Sequence, residues 1–273
     1  MIICIALIAF MNMGGAAFGI RKGVNMYCLC KTYKSDALVF LKDLRDESVD
    51  LVLTDPPYES GNKWRGVGTT ARRGMGRAGT GSDDDSKRFL VVSNDYLLKV
   101  VNEIYRVLKI GHHAYVMADW ETAVLICQHV EKTWPWRTVS GVKISPFKAL
   151  VWDRIAMGLG YSYRSRHEFI CFLRKGKKWN QLNDLGVPDV LQYKRVPPSS
   201  ADVPTQKPFH LFRVLVAQSS SEGDLVVDPF MGSGTTARAA HALNRKWLGC
   251  DIEQAHVDIA NKEFCNPEQK SLF

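Results

Sequence analysis

Residues 55–58 read Asp-Pro-Pro-Tyr and close the apolar run VDLVLT. Proline lacks an N–H and restricts both its own φ and the residue before it, so Asp55-Pro56-Pro57 is a stiff, extended segment with free carbonyls. The Asp55 carboxylate and the Pro56 carbonyl are then two acceptors held at a fixed separation. That pair suits an amine whose lone pair is delocalised into a ring, such as the exocyclic amine of a nucleobase. Accepting both N–H hydrogens aims the lone pair at an electrophile, and the rate gain comes from orientation and electrostatics. Tyr58 would stack on the same base once it has left the duplex. An Asp-Pro-Pro turn with a half-buried tyrosine explains the same four residues, so the rest of the chain has to decide.

A second constellation lies near the other end. LVVDPFMGSGTTARAA runs from strand through a glycine turn into helix, and Gly232-x-Gly234-x-x-Ala237 fits a dinucleotide fingerprint. Both glycines would let the backbone approach a ligand. Asp251, ending the next apolar run, stands where an acid accepts from ribose hydroxyls. No Gly-Lys-Ser/Thr follows, which excludes a Walker loop. The loop alone does not separate NAD from another adenosine-bearing cofactor, and a tight turn packing helix on strand explains it as well. His167-Glu168 lacks a second histidine at metal spacing and reads as a cap or packing pair. The seven cysteines are scattered, without a CxxC pair or a zinc cluster. They imply a reduced, cytoplasmic chain without structural metal.

These groups must be positioned by strands and helices. YCLCKTY reads as a strand on which Cys28 and Cys30 alternate, which implies burial. SDALVFLKDL reads as a helix behind a Ser35/Asp36 cap, and VDLVLTD as a buried strand. NDYLLKVVNEIYRVLK at 94–109 is an amphipathic helix with Gly111 as its stop signal. HHAYVMAD, WRTVSGVKI, ALVWDR and HEFICFLR read as strands, and ETAVLICQHVEKT, PFHLFRVLVAQSS and QAHVDIANKEF as helices. Strands alternating with helices predict an α/β fold, a parallel-type sheet covered on both faces. With 46% hydrophobic residues in 273, a large core is available and global disorder is excluded.

TDPPY at 54–58 and DPFMGSGTT at 228–236 resemble the two signature motifs of S-adenosylmethionine-dependent amino-methyltransferases of DNA. The catalytic motif comes first and the cofactor motif late, which is similar to the circularly permuted β-class of adenine-N6 and cytosine-N4 enzymes. The resemblance runs from about residue 27 to 264. It includes SDALVFLKDLRDESVDLVLTDPPY, the segment ALVWDRIAMGLGYSYRSRHEFICFLRKG, and the TQKP helix leading into the glycine loop. It implies a Rossmann-like, seven-stranded doubly wound methyltransferase sheet and S-adenosylmethionine as cofactor. Asp55, Pro56, Pro57 and Tyr58 would then hold the target amine and stack its base. Phe230, Gly232, Gly234 and Thr235 would form the cofactor loop, with Asp228 at the strand end before it. Asp251 would take the ribose and Asp36 would lie near the adenine, while Thr205 and Lys207 would lie beside the methionine end. Two departures stand out: Ser35-Asp36 replaces the usual Gly-Asp, and Val203-Pro204 replaces the His-Pro often found before Thr-Gln-Lys-Pro. Asp before Pro-Pro-Tyr resembles the adenine-N6 branch, whereas the cytosine-N4 branch more often carries Ser.

The formal net charge of +8 favours a polyanionic partner, and the resemblance makes it double-stranded DNA. Two basic segments are candidates. One is a loop at about 59–90 with Lys63, Arg65, Arg72, Arg73 and Arg77, expected to close over the extruded base. The other is a short target-recognition region at about 174–204, with Arg174, Lys175, Lys177, Lys178, Lys194 and Arg195. Residues 1–25 are apolar but make a poor signal peptide and a short, broken membrane span. No membrane partner is expected, and Met26 is an alternative start that leaves 26–273 as one methyltransferase domain. A homodimer and a cognate restriction endonuclease are partners the family allows. An NAD-dependent oxidoreductase would explain the glycine loop but not Asp-Pro-Pro-Tyr. RNA and glutamine methyltransferases with a similar motif usually carry the loop before it.

Overall fold

The computed structural model describes residues 17–18, 27–58, 92–158, 163–197, 200–201, 206–262 and 264. In chain order the strands are β1 (Ala17–Phe18), β2 (Tyr27–Cys28), β3 (Lys31–Lys34), β4 (Val49–Thr54), β5 (Leu108–Ala118), β6 (Arg137–Val139), β7 (Val142–Ile144), β8 (Phe147–Asp153), β9 (His167–Arg174), β10 (Val190–Gln192), β11 (Leu225–Asp228) and β12 (Lys246–Asp251). The helices are α1 (Ala37–Asp43), α2 (Asn94–Val107), α3 (Trp120–Thr133), α4 (Phe209–Ser219), α5 (Thr235–His241) and α6 (Gln254–Lys262).

Eight strands form one sheet in the order β10-β8-β9-β5-β4-β11-β12-β3. The expected seven are there, and the three-residue β10 adds an eighth at the edge, parallel to β8. From β5 through β4, β11 and β12 to β3 every pairing is parallel, while β9 runs antiparallel to both neighbours. Side chains of β4 alternate between two cores. Val52 packs with Phe40, Val101 and Ile126 of α1–α3, while Leu51 and Leu53 pack with Leu211, Leu215 and Ala240 of α4 and α5. Each of the Val, Leu, Ile and Phe side chains among them, fully buried, stabilises the fold by roughly 1.5–3 kcal/mol. This two-faced cover makes the sheet doubly wound and leaves the carboxyl ends of its parallel strands as the place for a ligand.

Three expectations change. YCLCKTY is not one strand: it breaks at Cys30, which has φ 59° and is exposed, so its burial is not found. Helix α2 stops at Val107 because β5 begins at once. Gly111 (φ +88°) is an irregularity inside that strand, where a Cβ would come 2.9 Å from Asn180 Oδ1. WRTVSGVKI is a hairpin, β6 and β7, turned by Ser140 (φ 48°) and Gly141 (φ 80°), the positive-φ pair of a two-residue turn. Of residues 1–25 only Ala17–Phe18 is described, pairing antiparallel with Tyr27–Cys28. Among the described residues no helix is long and apolar enough to cross a membrane.

Candidate active site

The carboxyl ends of β3, β4, β11 and β12 open into a cavity of about 700 Å³, within the range of small-molecule sites. Asp55 to Tyr58 wall one side, Asp228 to Ser233 the floor, and Ser35, Asp36 and Asp251 to Glu253 the other side. The two sequence motifs, 174 residues apart at Thr54 and Asp228, therefore meet. The contact is direct: the Thr54 hydroxyl donates to Asp228 Oδ1 at 2.6 Å.

Asp228 is almost fully buried. Its carboxylate also accepts from the Phe230 N–H at 2.9 Å and from the Thr236 hydroxyl at 2.6 Å. Burial pushes its pKa up to about 7, against the lowering effect of those three donors. Asp228 thus ties β4, the glycine loop and α5 together at the floor of the cavity. The two loop glycines have different reasons. At Gly232 (φ +52°) a Cβ would meet nothing within 4 Å among the described residues, which leaves the wall there open to a ligand. At Gly234 (φ +84°) a Cβ would come 3.0 Å from Ala260 Cα, so this glycine admits α6 rather than a ligand. Thr235 begins α5 and lines the cavity. Asp251 accepts from the Gly232 N–H (2.9 Å), the Glu253 N–H (2.9 Å) and His256 Nδ1 (3.1 Å). Burial raises its pKa, but the His256 and backbone hydrogen bonds outweigh that and hold it below the usual range. Asp36 caps α1 through the Leu38 and Val39 N–H groups and accepts from the Tyr96 hydroxyl at 2.6 Å.

On the opposite wall Asp55 is the centre of a charged chain. Tyr58 donates to Asp55 Oδ1 at 3.0 Å, and Lys207 Nζ lies 2.9 Å from Oδ2. The same ammonium lies 3.2 Å from Glu168 Oε2, and Glu168 Oε1 lies 3.3 Å from Arg154 Nη1. Burial pushes the Asp55 carboxyl up, with Lys207 opposing it. Burial and the Asp55 charge push the Tyr58 phenol well up. Lys207, expected beside the methionine end, is therefore the counter-ion of Asp55. Its neighbour Thr205 lies outside the described residues.

The chain matches the family described as DNA methylase over residues 49–262, from β4 to the end of α6. The chain belongs to that family. S-adenosylmethionine is its cofactor, and this cavity fits it in volume, in the open wall at Gly232 and in the acceptor Asp251. Among its relatives, a Type II methyltransferase of Haemophilus parainfluenzae, M.HpaI, is 28% identical over 252 residues, covering 84% of this chain and 72% of the relative. The DNA adenine methyltransferase YhdJ of Escherichia coli is 28% identical over 249 residues, covering 82% and 79%. Two solved structures share the fold. The M1.HpyAVI–SAM complex does so with TM-score 0.59 and 19% identity over 86% of this chain and 98% of its own. The cytosine-N4-specific PvuII DNA methyltransferase does so with TM-score 0.57 and 16% identity over 88% and 89%.

The methylase divides the expected DNA-binding residues. Lys63, Arg65, Arg72, Arg73 and Arg77 lie outside the described residues, between Tyr58 and Val92, both of which line the cavity. The second segment splits. Arg174 pairs with His113 of β5, which itself pairs with Leu51 near the start of β4, so Lys175, Lys177 and Lys178 lie at the end of the sheet away from the cavity. Lys175 is buried, donating to the Leu108 carbonyl at 2.7 Å and pairing with Glu47 at 3.3 Å. Its expected contact with DNA is corrected to a structural role. Gln192 instead pairs with Asp153 at the cavity end, which carries the exposed Lys194 and Arg195 to that edge. Accordingly, Lys175→Met should leave DNA affinity and its salt slope unchanged in a titration. A lost phosphate contact would lower the slope by about 1. The same variant should melt earlier, since orphaned buried carbonyls cost about 1–3 kcal/mol.

Sequence reasoning missed Glu168, Tyr96 and His256, all of which line the cavity. Glu168 was visible as an acid beside a strand start, but its partner Lys207 is 39 residues away and only the fold joins them. Tyr96 sits in the first turn of α2 on a sequence that reads simply as amphipathic.

Proposed function

We propose that this methylase transfers the methyl group of S-adenosylmethionine to the N6 amine of adenine in duplex DNA, with the base turned out of the helix. The observation that carries the reading is Asp55-Pro56-Pro57-Tyr58 at the end of β4, facing the cavity and sharing its floor with the glycine loop. Asp rather than Ser at the head of that motif favours adenine, as does the 28% identity to a relative named DNA adenine methyltransferase. When bound, the cofactor supplies a methyl made electrophilic by its sulfonium, so the protein need not provide a strong base. Asp55 and the Pro56 carbonyl hold the amine, Pro57 stiffens the segment, and Tyr58 covers the base. The Gly232 wall and Asp251 seat the adenosine part of the cofactor, with Asp36 and Tyr96 at the far end of the cavity. Ionised Asp55 next to the amine stabilises the positive charge that nitrogen gains during attack. Lys194 and Arg195 lie on the edge where phosphates would approach.

Tritiated methyl transfer to unmethylated duplex DNA, followed by nucleoside analysis, tests this. Label in N6-methyladenine is the expected result. Label in N4-methylcytosine would move the substrate to the runner-up base, and label only in RNA or protein would overturn the reading.

A further inference from the structure

Both oxygens of Asp55 already accept in the structure, and one of the two donors is a cation that offsets the negative charge the substrate amine would meet. Tyr58 donates to Oδ1 at 3.0 Å and Lys207 Nζ sits 2.9 Å from Oδ2. Each oxygen keeps a second lone pair for an amine, but the ammonium at Oδ2 cancels the carboxylate's charge. An ammonium in a closed site needs an anion, because leaving it unpaired costs several kcal/mol. Lys207 is only 11% exposed at its side chain, so water does not supply that anion's place.

Glu168 supplies it. Its Oε2 lies 3.2 Å from the same Nζ but is a buried oxygen without hydrogen-bond geometry to any partner among the described residues. It is an acceptor waiting for a better-aligned donor. Its other oxygen is anchored: Oε1 lies 3.3 Å from Arg154 Nη1, and Arg154 is itself fixed on the carbonyls of Ser165 (2.9 Å) and Arg166 (3.3 Å). Arg154 thus holds Glu168 with Oε2 turned to Lys207. All of this stands at the carboxyl end of β8 and the start of β9, next to the catalytic motif.

We propose that Glu168 is a positioning residue that draws Lys207 away from Asp55 when the substrate amine enters, so that the Asp55 carboxylate faces the amine with its charge uncancelled. The inference rests on the reading of Asp55 as the group that holds the amine. No proton moves in the exchange: Lys207 changes partner and stays an ammonium. The three groups carry one net negative charge throughout, −1 from Asp55, +1 from Lys207 and −1 from Glu168. The wall therefore remains anionic while the amine nitrogen becomes positive, and the lysine does not cancel the carboxylate at the moment it is needed.

The test is steady-state methyl transfer to unmethylated duplex DNA by Glu168→Gln, Lys207→Met and the double variant, with the methylated nucleoside identified for the wild type. Glutamine keeps the volume but leaves Lys207 with Asp55 as its one anion among the described residues. Glu168→Gln should lower kcat by about 10²-fold, the scale of losing one oriented charge contact in the transition state, with the KM for S-adenosylmethionine unchanged. Removing the lysine as well uncaps Asp55, so the double variant should be at least as fast as Glu168→Gln alone. A Glu168→Gln rate within about twofold of wild type, a double variant slower than Glu168→Gln, or a loss confined to the cofactor KM would overturn the proposal. Should Glu168→Gln unfold, Glu168→Asp keeps the charge and should retain transfer well above Lys-capped levels; inactivity of the folded Asp variant would also overturn it. Wild-type product as N4-methylcytosine overturns the adenine reading while the comparison of variants still stands. No label in DNA overturns both.

Discussion

Asp55→Ala should abolish methyl transfer, by at least about 10³-fold in kcat, while S-adenosylmethionine binds as before. The size follows from what is lost. One of two fixed acceptors for the amine disappears, and with it the negative charge facing the nitrogen as it turns positive; orientation and electrostatics each contribute about 10²-fold or more in such sites. Cofactor affinity is spared because Gly232 and Asp251 lie on another wall and bond to each other at 2.9 Å. Stability is largely spared too, because Lys207 keeps Glu168 as a counter-ion at 3.2 Å. Single-turnover methyl transfer and calorimetric titration with the cofactor separate these effects. A variant that loses cofactor binding in proportion to its rate would contradict the assignment of Asp55. The wild type carries a related pH signature. Burial, with Lys207 opposing it, raises the Asp55 pKa, and holding the amine needs the carboxylate. Activity should therefore fall on the acid side at a higher pH than an ordinary aspartate, with its value of about 3.9, would produce.

Asp228→Ala should be among the most destabilising single changes in the chain, and Asp228→Asn should be tolerated. Alanine leaves the Thr54 hydroxyl, the Thr236 hydroxyl and the Phe230 N–H without their acceptor, all in a buried site. Orphaned donors cost about 1–3 kcal/mol each, so a loss of about 3–5 kcal/mol is expected, and the glycine loop loses its anchor. Asparagine keeps the shape and an acceptor oxygen for Thr54 and Phe230. Its amide can donate to Thr236, whose hydroxyl already lies 3.3 Å from the Leu53 carbonyl and can donate there instead. The pH dependence tells the two forms of the wild-type side chain apart. Burial raises Asp228 from 3.8 to about 7 in the fold, so the folded state binds a proton that the unfolded chain releases. The stability this contributes is fully present below about pH 4 and is lost as pH rises through about 7. Asp228→Asn should flatten that part of the curve. Urea melts of wild type and Asp228→Asn between pH 4 and 8 check it; parallel curves would show that Asp228 is ionised in the fold throughout.

Much of this site is legible in the residues alone. The strand-ending Asp-Pro-Pro-Tyr carries its chemistry locally, because proline geometry and a carboxylate do not depend on distant neighbours. The glycine turn is local for the same reason: positive φ and missing side chains are properties of three consecutive residues. Alternation of apolar runs and helical spacing likewise predicted a two-faced α/β sheet. Local signals also misled where two local explanations compete. Gly111 reads as a helix stop, yet it serves a strand that starts four residues earlier than the pattern shows, and Cys30 breaks the strand it seemed to continue.

What the tertiary structure decided is who meets whom. Lysines are alike in sequence, but Lys175 is buried under β5 and Lys207 faces Asp55, because β9 runs antiparallel and carries its end away from the cavity. Asp228 reads as a ligand-facing acid and proves to be the joint between two motifs 174 residues apart. Glu168 reads as a packing acid and proves to share Lys207 with Asp55. Composition and spacing specify which groups exist and which strand ends carry them. Charges act within a few ångströms in a closed cavity, so their partners, and hence their roles, are settled only when the sheet order brings those strand ends together.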